Sequence, residues 1–170
     1  MEKTAQPSAY DFSFDALKGG ALPFAQWRGK PVLVVNTASE CGFTKQYTLL
    51  QELWQTYRAR GLIVLGVPCN DFGGQEPGDA PAIGQFCAAN FGVDFPLTAK
   101  YHVVGKVAHP FYRWANGWAG LIGSPKWNFH KYLIGPEGQM IDWFAPTTEP
   151  GAAKIIRAIE PLLPTEKVTA

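Results

Sequence analysis

The chain is poor in cysteine, in charge and in long apolar runs, and each shortage removes a class of protein. Three cysteines, Cys41, Cys69 and Cys87, are too few and odd in number for the disulfide framework of a small secreted domain. There is no Cys-x-x-Cys pair, and His102, His109 and His130 stand at no zinc-ligand spacing, so no metal site is expected. Charged residues make up 17% of the chain and nearly cancel, leaving a formal +1. Without a basic stripe to follow phosphates, nucleic acid is not an expected partner. No stretch approaches the roughly 20 apolar residues of a membrane span. The polar segment from Met1 to Tyr10 lacks the apolar core of a signal peptide. A soluble cytoplasmic protein is therefore the expectation. Apolar residues reach 46%, which separates this chain from disordered sequences of low hydrophobicity. Its 170 residues suit a single domain spanning 1–170, with 1–9 as a flexible leader.

What is present reads as alternating strands and helices. Tyr10, Phe12 and Phe14 alternate ahead of a Gly19-Gly20 turn, the pattern of a hairpin. Pro31 to Asn36 and Leu62 to Val67 are continuous apolar runs, as in strands covered on both faces. Between them Tyr47, Leu50, Leu53, Trp54 and Tyr57 keep helical spacing, with Thr44 as candidate cap and Gly61 as stop. This is a βαβ unit of a parallel sheet. A loop rich in glycine and proline, Pro68 to Gly78, leads to a second helix that Asp79 can cap. Ile83, Phe86, Cys87 and Phe91 form its apolar face. A short helix over Pro110 to Asn116 and an irregular stretch to Pro125 come next. Strands at His130–Ile134 and Met140–Phe144 join through a Pro136–Gln139 turn, and a helix over Thr148–Leu163 closes the chain. The order predicts an α/β, thioredoxin-like fold with a central mixed sheet flanked by helices.

Cys41 sits between the first core strand and the first helix, in Asn36-Thr-Ala-Ser-Glu-Cys-Gly-Phe-Thr44. Free backbone N–H groups and the positive end of a helix dipole favour thiolate at such a junction, and thiolate is the attacking form. Position alone also suits a buried junction cysteine.

Three segments tip the balance. The segment around Cys41 resembles the first signature of the glutathione peroxidase family. Gly66-Val-Pro-Cys-Asn-Asp-Phe-Gly-Gly-Gln75-Glu-Pro-Gly resembles the second, and Lys126-Trp-Asn-Phe-His-Lys-Tyr-Leu133 the third. The resemblance implies peroxide reduction by Cys41, with Gln75, Trp127 and Asn128 around it. Amide and indole N–H groups are donors that neither carry charge nor titrate, so they can steady a thiolate or a departing alkoxide. Phe86-Cys87-Ala-Ala-Asn-Phe-Gly resembles the segment in which two-cysteine members carry a resolving thiol and are recycled by thioredoxin. Cys87 also fits plain core packing four residues after Ile83, and Cys69 reads as a small buried hydrophobe.

Two positions depart from the family pattern. Glu40 stands where a basic residue often precedes the redox cysteine, and Asp71 where glutamine is common. The chain is also short between Asn116 and Lys126, where tetrameric members carry an insertion, which implies a monomer. Trp118, Leu121 and Ile122 in that stretch either tuck inward or form an apolar rim. The expected substrates are hydrogen peroxide and organic or lipid hydroperoxides, with no cofactor. A glutathione-dependent enzyme with an inert Cys87, and a sensor that passes oxidation to a partner protein, share the same first step.

Overall fold

The computed structural model describes residues 6–164. A short hairpin comes first, β1 (Ser13–Asp15) and β2 (Ala21–Pro23), turning through Gly19 and Gly20 at positive φ. β3 (Val32–Thr37) is buried over its whole length, as is β4 (Ile63–Pro68), and the two pair in parallel. α1 (Gln46–Tyr57) is the crossover between them. After α2 (Ala80–Phe91) and α3 (Pro110–Gly123), β5 (Lys131–Ile134) pairs antiparallel with the other side of β3. β6 (Met140–Phe144) follows by a hairpin, and α4 (Ala153–Ile159) comes last. The sheet order β4-β3-β5-β6 is mixed, and this is the expected thioredoxin-like arrangement.

Strand alternation divides the core. Leu33, Val35, Val64 and Leu133 pack with residues of α1, α2 and α4, while Val32, Val34, Leu65 and Tyr132 pack with α3 and the hairpin. Each such side chain removed from water contributes about 1.5–3 kcal/mol, so both faces of the sheet are strongly held. The site elements project from the ends of this rigid sheet.

The structure departs from the sequence expectations at several ends. Thr44 does not cap α1, which begins only at Gln46 and has no side-chain cap. The Thr44 hydroxyl instead accepts the Cys41 N–H at 3.0 Å and donates to the Ala38 carbonyl at 2.9 Å. Asp79 does cap α2, accepting from Ala82 at 3.0 Å. α3 runs on past Asn116 to Gly123, with a break at Gly120 (φ 71°, ψ −169°). Gly117 and Gly120 weaken the helical signal there, which hides the extension from sequence reading. Of the two alternatives for Trp118, Leu121 and Ile122, exposure holds, at 50%, 89% and 82%. α4 is shorter than expected because Pro150 and Gly151 delay its start.

The leader also ends sooner than expected. Ser8 caps a short turn, its hydroxyl accepting from Tyr10 and its N–H donating to Asp11. Ala9 is fully buried and donates its N–H to Gly138. Residues 1–5 of that leader lie outside the described residues. No helix among the described residues is long and apolar enough to cross a membrane.

Candidate active site

Cys41 lies in the turn between β3 and α1, five residues before the helix starts, rather than on its first turn. Its side chain is 8% exposed and its thiol is free. The turn is tied at both ends. The Thr44 hydroxyl takes the Cys41 N–H as described, and the Thr44 N–H donates to the Cys41 carbonyl at 3.0 Å. The Phe43 N–H points at the Cys41 sulfur, at 3.3 Å. That N–H is a neutral donor beside the sulfur and adds no titratable group. Glu40 is exposed, so water screens its carboxylate.

The loop after β4 reaches this turn through the backbone. The Glu40 N–H donates to the Gln75 carbonyl at 3.0 Å, which sets Gln75 beside the residue preceding Cys41. Asn70 closes the loop from within, its Oδ1 accepting from the Glu76 N–H at 2.9 Å. Gly73 has φ +68°, and a Cβ there would stand 3.0 Å from the Trp127 ring. Only glycine allows that close approach without strain.

The third segment runs into the start of β5. The Asn128 amide donates to Gln75 Oε1 at 2.9 Å and, more weakly, to the Phe72 carbonyl at 3.4 Å. This fixes the Gln75 amide with its oxygen toward Asn128, so its N–H₂ is the free donor group of the pair. Trp127 is half-buried with its ring 6.1 Å from that of Phe72, and it packs on the same core cluster as Cys41. Gln75, Trp127 and Asn128 are thus brought together, and Gln75 is linked to the Cys41 turn.

Sequence reading missed what holds this third segment. Phe129 adopts φ 67°, the one positive φ outside glycine among the described residues. An αL residue with a side chain costs on the order of 1–3 kcal/mol and persists only where its surroundings enforce it. Asn36, fully buried at the end of β3, does so: its carbonyl accepts from the Phe129 N–H at 2.6 Å, and its amide donates to the Trp127 carbonyl at 3.1 Å. Asn36 was present in the first motif, but nothing local to it signals a bond ninety residues away.

Lys131 is the other surprise. Fully buried, it donates to Gln46 Oε1 at 2.6 Å and to the Pro146 and Thr148 carbonyls at 3.2 and 2.5 Å. It therefore ties the first residue of α1 to β5, and burial pushes its pKa down to about 7. A lysine inside an apolar strand run was the only signal for it.

The remaining thiols are both buried. Burial pushes Cys69 up to about 12, which suits the inert role read from the sequence. Burial also raises Cys87, with the Tyr47 hydroxyl opposing the shift. Cys87 and Cys41 line the same core cluster, and both are free.

His130 is 2% exposed and stacks on Trp143. Burial pushes its pKa down to about 4, against the opposing pull of the Gly123 carbonyl. The unfolded chain therefore binds this proton first, so stability falls as pH drops from about 6.5 through about 4, by on the order of 3 kcal/mol in all. Glu76, raised by burial, acts in the opposite sense, and His109, lowered by burial, in the same one. Comparing denaturation of the protein and of His130→Gln at pH 7, 6 and 5 isolates the His130 part. The variant should lose less stability on acidification, and parallel curves would contradict the assignment.

Comparison with known proteins identifies the family. The family model described as glutathione peroxidase matches residues 9–116. A glutathione peroxidase-like peroxiredoxin of Chlamydomonas reinhardtii is 47% identical over 150 residues, covering 87% of this chain and 93% of that protein. The crystal structure of T. cruzi GPX1 superposes with a TM-score of 0.72 at 33% identity, over 92% of this chain and 96% of that one. A thioredoxin family protein from Chlorobium tepidum shares the fold alone, with a TM-score of 0.68 at 18% identity, over 95% of this chain and 100% of that one. With more than half its length under the family model and its three motifs folded around one turn, the chain belongs to the glutathione peroxidase family.

Proposed function

We propose that the protein is a thiol peroxidase that reduces hydrogen peroxide and organic or lipid hydroperoxides through Cys41, with Cys87 as resolving thiol and thioredoxin as reductant. The observation that carries this reading is the Cys41 turn: a free thiol receiving the Phe43 N–H, joined through Glu40 to Gln75. The Cys41 thiolate attacks the terminal peroxide oxygen, the O–O bond breaks, and the Cys41 sulfenic acid forms, keeping that hydroxyl, as the alkoxide or hydroxide leaves. The Gln75 N–H₂, held by Asn128, and the Trp127 indole are the neutral donors for that developing charge. Protonation gives water or alcohol.

Resolution follows. The Cys87 sulfur displaces hydroxide from the Cys41 sulfenic acid, the Cys87 proton completes a water, and an intramolecular disulfide remains. Exchange with a dithiol returns both thiols. Cys87 is buried within α2, at 1% exposure, and this route includes a local opening of α2 that brings its sulfur to Cys41. Gly84 within α2 lowers the cost of that opening. Three free thiols fit a reducing compartment, the cytoplasm. The short stretch between Asn116 and Lys126 supports a monomer.

Turnover of Cys87→Ser tests the reductant. With thioredoxin and its reductase, sustained peroxide turnover should be lost, while the first equivalent of peroxide is consumed at the unchanged rate. Full thioredoxin-supported turnover by the variant would return Cys87 to core packing. Equal turnover with glutathione would favour the one-cysteine enzyme.

A further inference from the structure

The family pattern leaves Asp71 as a departure without a consequence, and the structure gives it one. Asp71 lies three residues after β4, and its side chain is only 7% exposed. One carboxylate oxygen accepts the Val103 N–H at 2.7 Å and the Val104 N–H at 3.3 Å. The other meets the His102 ring at 2.5 Å. Burial alone would raise the Asp71 pKa, but these partners outweigh it and hold the carboxyl below its ordinary value. The carboxylate is therefore ionised and charge-assisted in its bonds.

The receiving segment is itself fixed. The Val103 carbonyl accepts from the Asn116 amide at 2.9 Å, and Asn116 Oδ1 accepts from the Tyr132 hydroxyl at 2.6 Å. Tyr132 belongs to β5 and Asn116 to α3, so the bonds run from the sheet, through a helix, to the Asp71 carboxylate. On the far side of Asp71 stands Phe72, whose carbonyl accepts from Asn128 and whose ring faces Trp127. Gly73 and Gly74 follow, both at positive φ, and then Gln75. A chain of glycines transmits little rigidity by itself, so the placement of Gln75 depends on what anchors its two ends. The Glu40 and Asn70 bonds hold the Gln75 end, Asn128 holds the Gln75 side chain, and Asp71 holds the other end.

We propose that Asp71 is a positioning residue of the peroxide-reducing site: its carboxylate staples the loop to Val103 and Val104, and so holds Phe72 and Gln75 against Asn128 and Trp127. The inference rests on the assignment of Gln75 as a donor to the reacting oxygen. The staple acts on the first chemical step and on no other.

Stopped-flow oxidation of Cys41 by hydrogen peroxide, followed well below the melting temperature, is the test. Asp71→Ala should slow it about tenfold or more, since small displacements of a positioning group are costly. Asp71→Asn keeps an oxygen for Val103 and Val104 and should restore the rate to within about twofold, which a purely ionic role does not allow. In Asp71→Ala/Gln75→Ala the two losses should not multiply, because the staple works through Gln75; the double variant should match Gln75→Ala within about twofold. If Asp71→Ala does not fold, Asp71→Ser, too short to reach both N–H groups, takes its place. A wild-type rate in either variant, or losses that multiply in the double variant, overturns the staple alone. A wild-type rate in Gln75→Ala overturns the donor assignment and the staple with it.

Discussion

Replacing Cys41 by serine is expected to lower the rate of peroxide reduction by roughly a thousandfold or more. A serine hydroxyl is not ionised near neutral pH and is a far weaker nucleophile than a thiol. The change is nearly isosteric in a turn held by Thr44, so the fold should survive. Circular dichroism and melting temperature establish that the variant is folded, and a coupled peroxide assay reads the loss. Near-normal turnover by folded Cys41→Ser would remove Cys41 as the nucleophile, since Cys69, raised to about 12, cannot replace it at neutral pH.

The second large effect is at Gln75. Gln75→Ala removes the free amide donor of the Gln75–Asn128 pair and should slow Cys41 oxidation on the order of a hundredfold, the usual cost of one transition-state donor. Asn128→Ala should slow it as well, through Gln75: its amide N–H₂ bonds Phe72 and Gln75, so its part is to orient. The two substitutions together should then cost little more than Gln75→Ala alone. Single-turnover rates at several peroxide concentrations separate a slower step from weaker encounter. Two wild-type rates would take both residues out of the site.

Much of this arrangement was legible before any coordinates. Long apolar runs at Pro31–Asn36 and Leu62–Val67 can only be buried strands, and they are. Hairpin chemistry between Ile134 and Met140 and the Asp79 cap were equally plain, because each depends on neighbours in sequence. The three motifs were legible as a set because their order and length leave little room for chance.

The rest depends on contacts that sequence distance conceals. The Asn36–Phe129 bond, the Lys131 cage around Gln46 and the Asp71 bonds to Val103 each join segments thirty or more residues apart. Thr44 shows the same limit at short range. Threonine before a helix is a good cap on statistical grounds, yet its hydroxyl went to the Cys41 N–H instead. The tertiary requirement of shaping the cysteine turn outweighed the local preference. At Trp118–Ile122, two glycines lowered the local helix signal while the helix continued to Gly123.

The most direct measurement is a peptide map of the protein after one equivalent of hydrogen peroxide. Digestion under non-reducing conditions, followed by mass spectrometry, should yield a Cys41–Cys87 linked peptide, with Cys69 still alkylatable. In Cys87→Ser the same treatment should trap Cys41 as a sulfenic acid. Recovery of Cys41 as an unmodified thiol after the peroxide has been consumed would contradict the account at its centre.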